Sequence, residues 1–149
     1  MVLTYLRNAV SEEWFDPDIP LLNCGLHDTK RIDDSPLQVP LDQYDANLRA
    51  ILAVASANDI TTVWVRTTPL NKKHQLPGYI RKSDDIDEYN KIADEVMTRN
   101  GIRMIDLFSF TKNLGDDIYI NDNKDQVHFT ESVAALQAAY IAGAIYSLC

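Results

Sequence analysis

Positive charge is scarce in this chain: 14 Lys and Arg stand against 22 Asp and Glu, leaving a net charge of −8. The basic residues form no cluster, which argues against nucleic acid or an anionic membrane surface as a partner. Cysteine is scarcer still. Cys24 and Cys149 are too few for a disulfide framework, and Cys24, in an apolar stretch, reads as an inert core thiol. No apolar run approaches the length of a membrane span, and the N-terminus lacks the basic-then-apolar pattern of a secretory signal. The expectation is a soluble, cytoplasmic protein, with an upstream signal left open. Low-complexity tracts and internal repeats are absent as well. No glycine-rich loop follows a strand, which disfavours nucleotide binding. Asn121-Asp122-Asn123 lacks the Gly and distal Glu of a calcium loop. No metal and no other cofactor is therefore expected, although Asp122, Asp125 and His128 keep metal-assisted hydrolysis as a third, weaker reading.

What remains is an ordinary globular composition, 46% hydrophobic and 24% charged, in 149 residues. That length suits a single domain over 1–149 with a real core. Leu3, Leu6, Val10 and Trp14 lie on one face of a first amphipathic helix. Ile19 to Cys24 reads as a short buried strand, with Pro20 counting against a central position. A polar loop, Thr29 to Pro40, leads to a long helix marked by Leu41, Tyr44, Leu48, Ile51, Leu52 and Ala55 and ending near Asn58. Thr61 to Thr67 is β-branched and aromatic and reads as a second strand. The basic segment Leu70 to Ser83, with Pro77-Gly78, reads as an exposed loop. Ile86, Tyr89, Ala93 and Val96 mark a third helix, capped by Ser83 or Asp84. Ile102 to Leu107 is a third strand. A loop with Gly115 and Asp116-Asp117 follows, and Thr130 caps a last helix with Val133, Leu136, Tyr140, Ala144 and Leu148 on one face. Strands alternating with helices predict βαβ units, a parallel sheet and a three-layer α/β/α sandwich. Three strands are few for such a sheet, so the first strand is expected to lack neighbours on one side.

The chemistry centres on Asp125-Gln126-Val127-His128. A carboxylate three residues ahead of an imidazole can hold one tautomer and stabilise the imidazolium once the ring takes a proton. The alternative is a surface turn in which His128 only caps or packs. Gly25-Leu26-His27-Asp28 comes directly after the first strand, on the edge where open α/β sheets bind ligands. A Gly there permits a sharp turn that brings backbone N–H groups to a bound atom, and a donor two residues on can face a developing oxyanion. The bland alternative is a strand-to-loop turn whose Asp28 caps backbone N–H groups. Lys72, Lys73 and His74 form a short basic patch of the kind most often found on solvated loops.

The order of these motifs resembles the SGNH, or GDSL-type, hydrolase family, which carries Gly-x-Asn-Asp after its third strand and Asp-x-x-His before its last helix. Val63 to Pro69 and Glu88-Tyr89-Asn90 are similar to further stretches of that family. The resemblance spans nearly the whole chain but only the C-terminal part of the family's domain. It implies a flavodoxin-like sandwich and a small-molecule ester substrate, acyl or carbohydrate. It makes His128 the general base, Asp125 its orienting carboxylate and Gly25 an oxyanion donor. His27 falls where the family has Asn, and Asp28 fixes the loop. The family's nucleophile, the Ser of Gly-Asp-Ser, has no counterpart. Asp34-Ser35 lies in a polar loop after the oxyanion motif and Ser11 lies in the first helix, so the nucleophile is unassigned. The expectation is weak or no esterase activity from the chain alone. Three explanations stand: a truncated product, a fragment completed by a missing N-terminal segment or another chain, or a degenerate homologue kept for binding. In the last, the open edge at Leu21–Cys24 would pair with another chain or form a homodimer.

Overall fold

The computed structural model describes residues 1–32, 35–72, 78, 80–115, 117–120 and 126–147. Along the chain they form α1 (Val2–Ala9), β1 (Leu21–Leu22), α2 (Leu41–Ala57), β2 (Val63–Val65), α3 (Ser83–Arg99), β3 (Arg103–Ile105), α4 (Leu107–Lys112) and α5 (Glu131–Tyr146). The three strands make one parallel sheet in the order β1-β2-β3, with Leu21 beside Val63 and Val63 beside Arg103. Each parallel step needs a crossover, and α2 and α3 supply them.

Side chains on β2 alternate between two cores, as the period of a strand requires. Trp64 packs with Tyr44, Leu48 and Leu52 of α2 and with Tyr89, Ala93, Val96 and Met97 of α3. Val63 and Val65 point the other way and join Ile105, Leu107 and one side of α5. A sheet covered on both faces is the expected α/β sandwich.

The sheet stops at β1. Val63 N–H donates to the Pro20 carbonyl at 3.2 Å, so Pro20 and Leu22 turn their backbone groups to β2. The backbone groups of Leu21 and Asn23, one residue out of phase, face away from β2. The Leu21 side chain is 43% exposed. Among the described residues, the open edge expected from the strand count is thus present.

Several boundaries differ from the expected ones. The first helix ends at Ala9, and Trp14 lies in a following turn, 65% exposed with its ring edge-on to Phe15. Helix α1 packs on α2, and apolar spacing marks a face without marking where the partner surface ends. The strands are shorter than their β-branched runs because pairing ends sooner than composition does. Ser83 is the first residue of α3 and not its cap; Lys82 holds the cap position with no side-chain bond. Thr130 does stand at the N-cap of α5, but its hydroxyl meets Ser132 Oγ at 3.2 Å and no helix N–H. Leu107 to Lys112 belongs to the extra helix α4, whose cap is Asp106 accepting from Ser109 N–H. Leu136 is half exposed and not on the buried face of α5, while Leu148 and Cys149 lie outside the described residues.

Candidate active site

Three chain segments meet at the C-terminal edge of the sheet. The first is the turn after β1. Gly25 has φ +128°, and a Cβ added there would sit 3.1 Å from the Tyr44 hydroxyl and 3.4 Å from Thr67 Oγ1. Both the left-handed backbone and the crowding require glycine at this position. The Gly25 carbonyl accepts from Asp28 N–H at 2.9 Å and Thr29 N–H at 3.1 Å, closing the turn. No described residue accepts from the N–H groups of Gly25, Leu26 or His27.

Polar groups from three other elements fix this turn. Tyr44 of α2 donates its hydroxyl to the Cys24 carbonyl at 3.0 Å, and Thr67 Oγ1 donates to the same oxygen at 3.2 Å. Asn90, buried on α3, holds the Thr67 peptide from both sides. It accepts from Thr67 N–H at 3.0 Å and donates to the Thr67 carbonyl at 2.9 Å. Asn23 Nδ2 donates to the Val65 carbonyl at 2.7 Å, and Arg81 Nε to the Leu26 carbonyl at 3.0 Å. A chain of hydrogen bonds therefore runs from α3 through the end of β2 to the end of β1.

Burial sets the electrostatics here. It pushes the Cys24 thiol up to about 12, with the Asp28 charge adding to the effect, so Cys24 is a neutral thiol at physiological pH. Cys24 follows β1 instead of lying within it, and is half-buried. Burial also raises the Asp28 carboxyl above its ordinary value, against the pull of the N-terminal ammonium and of His27. Tyr44 is raised by burial too. The His27 side chain is exposed.

The second segment follows β2, and the third leads to α5. Asn71 N–H donates to the Gln126 carbonyl at 2.8 Å, tying the second to the third. Ile120 N–H donates to the His128 carbonyl at 3.0 Å, and Tyr119 and Phe129 form an antiparallel bridge with stacked rings. His128 is thereby brought to the same edge as the Gly25 turn, with its side chain exposed. Asp125 lies outside the described residues, as do Asp122, Lys73, His74 and Asp34. Ser35 is described: its hydroxyl accepts from Ile32 N–H at 2.9 Å in an exposed turn. Ser11 stands in the turn after α1, beyond that helix's last residue. Among the described residues no group of three His, Cys, Asp or Glu side chains could hold a metal. No helix is long and apolar enough to cross a membrane.

Sequence reading missed Asn90, Tyr44 and Arg81 as parts of the site's support. The available signal was an amide on the otherwise apolar face Tyr89-Asn90-Ala93, since a buried amide has to find partners. It also missed Arg66, which bridges Asp94 at 3.1 Å and Asp106 at 2.7 Å while lying over the Phe108 ring. Burial raises the Asp94 carboxyl despite that partner. At Asp106 burial acts in the same direction, but the bonds from Ser109 and Arg66 outweigh it and the carboxyl stays below its usual value.

No family model matches the chain, and no curated protein matches it. Solved structures do. One, from Bacteroides fragilis and assigned as an acylhydrolase, is similar over 99% of this chain and 71% of its own, at TM-score 0.72 and 17% identity. A GDSL-like lipase from Bacteroides thetaiotaomicron is similar over 100% of this chain and 72% of its own, at TM-score 0.66 and 16% identity. An acetyl xylan esterase is similar over 96% of this chain and 75% of its own, at TM-score 0.68 and 15% identity. The open β1 edge accords with a chain that spans only part of each of these structures. At such identities the likeness shows architecture: this chain carries, over about seven tenths of their length, the α/β fold of GDSL-type acylhydrolases and esterases.

Proposed function

We propose that this chain is the base-and-oxyanion part of an SGNH-type ester hydrolase, acting on an acyl or carbohydrate ester. The supporting observation is that the glycine turn after β1 and the His128 turn stand on the same edge of one parallel sheet. His128 takes the proton of an attacking hydroxyl and returns it to the leaving alcohol. Asp125 orients it. The N–H groups at Gly25 to His27, from which no described residue accepts, receive the developing oxyanion. The His27 ring adds a donor, and Asp28 holds the loop. No serine of this chain is assigned as nucleophile, so the isolated chain has weak or no turnover.

The test is hydrolysis of a short-chain aryl acetate with a serine-reactive phosphonate label, beside His128→Ala. The expected result is no labelled serine and at most residual turnover. A single labelled serine, with turnover that vanishes in His128→Ala, would identify a nucleophile in this chain and overturn the reading of incompleteness. Turnover indifferent to His128 would overturn its role as base.

A second reading is favoured by the bare β1 edge: a non-catalytic module that pairs through Leu21–Cys24 with another chain, including a second copy. An unpaired parallel edge with an exposed Leu21 invites such pairing. Light scattering from 10 to 500 μM (roughly, the range in which weak edge pairing shows) reads self-association directly. A dimer that Leu21→Lys dissolves supports self-pairing; a monomer throughout removes the homodimer.

A further inference from the structure

We infer that the cavity between α3 and α4, at the C-terminal edge of β2 and β3, is a binding site for a small aromatic carboxylic acid. The site does not depend on the ester-hydrolase reading. The cavity encloses about 320 Å³, at the lower end of the range of small-molecule sites. Leu70, Ile86, Ile118 and Tyr119, each at most 5% exposed, form its apolar wall with the Phe108 ring, and the buried Asn71 and half-buried Ser83 add polar groups to the lining. Such a wall accepts a flat apolar ring.

The mouth carries the selectivity. Lys72 and Lys112 both line it. In a chain of net charge −8, neither is ion-paired with any described carboxylate. Asp87 lies at the same mouth and pairs with neither lysine. The Lys112 ammonium is instead held over the Phe108 ring at 5.6 Å from its centroid, which places a cation directly beside the apolar wall. Two ammonium groups with no ion-pair partner among the described residues, set against the single carboxylate of Asp87, favour a ligand with a ring at one end and an anion at the other.

Benzoate and benzyl alcohol, titrated separately into the full chain and followed by methyl and amide NMR, form the test. The expected result is saturable benzoate binding in about the millimolar range, fitting a ligand of so few atoms, with shifts at Leu70, Ile86 and Ile118. Benzyl alcohol should bind about tenfold more weakly, and Lys112→Gln should cost benzoate about tenfold, each losing one charge-assisted bond. Phe108→Ala should weaken both ligands. Lys112→Gln alters an exposed side chain, so its thermal midpoint should match the parent's and unfolding cannot mimic the loss. Equal affinity for the two ligands, or shifts confined to residues outside this cavity, would overturn the inference. Benzoate binding retained in His128→Ala keeps this site separate from the fate of the hydrolase reading.

Discussion

On one face of the sheet, Tyr44, Leu48, Trp64, Tyr89 and Val96 are at most 2% exposed; on the other, the sixteen residues of α5 bury only Val133. The difference does not come from polarity. Between Ser132 and Tyr146 helix α5 has no charged residue, and Ala134, Ala135, Leu136, Ala138, Ala139 and Ala142 are all exposed. A helix apolar all round belongs inside a protein. Helices α2 and α3 are amphipathic and finished; α5 is composed for a burial that this chain alone gives it on one side. Leu21, exposed at the end of the sheet, lies beside the same gap.

The comparison breaks first in the core. Trp64→Ala removes a side chain that is fully buried between α2 and α3 and should destabilise by about 3–5 kcal/mol. Leu136→Ala, on α5 at 50% exposure, should cost under about 1 kcal/mol in the isolated chain. Urea unfolding of the two variants measures both. A Leu136→Ala penalty as large as a core truncation would mean that α5 is already covered, by self-association or otherwise.

Next in size is the clamp on the Gly25 turn. Asn90→Leu keeps the volume on α3 but leaves the Thr67 N–H and carbonyl buried without their side-chain partners. The expected cost is about 2–3 kcal/mol. The distinctive sign is local: amide exchange should quicken at Asp28 and Thr29, whose N–H groups close the turn on the Gly25 carbonyl, through Thr67 Oγ1 and the Cys24 carbonyl. A uniform loss of protection across the fold would reduce Asn90 to a core residue with no special link to the turn. Gly25→Ala should cost about 1–3 kcal/mol by strain at φ +128°, with the same local signature.

How much of this was readable beforehand follows from where each signal lives. Helices α2 and α3 and strand β2 were legible because their apolar periods and β-branched runs are local and long. The last helix was legible as a helix, yet its bare flank was not, because periodicity cannot say what is missing beside it. Helix α4 was hidden since Leu107-Phe108-Ser109-Phe110 continues an apolar strand in composition, and only Asp106 as cap announces it. At the site, Gly25 stood out as the residue directly after a strand. Asn90 did not, because its partner Thr67 lies 23 positions away and nothing in a single sequence joins them. Tyr44 and Arg81 are linked to the turn only by the way the crossovers fold back over it. The motif marks the turn; the groups that fix it come from tertiary structure.

The smallest effect concerns Asp28, which sits at the junction of the finished face and the open edge. Burial raises its carboxyl above the ordinary 3.8. Between 3.8 and that raised value the folded chain keeps a proton that the unfolded chain has released, so stability falls as pH rises through this window. Above the window the penalty is constant; below 3.8 it vanishes. Asp94 is shifted in the same direction and Asp106 in the opposite one, but both are common to parent and variant and cancel when the two are subtracted. Asp28→Asn should therefore be more stable than the parent at pH 7 and should lose that advantage as pH drops toward 3.8. With the Asp28 charge gone, the Cys24 thiol should also ionise at a somewhat lower pH, since that charge is the second cause of its rise. Urea titrations at neutral and acid pH, with thiol alkylation against pH, read both. A variant whose stability differs from the parent's by the same amount at every pH would show that water reaches the carboxylate freely, and that the turn at the open edge is not as closely built as the face it adjoins.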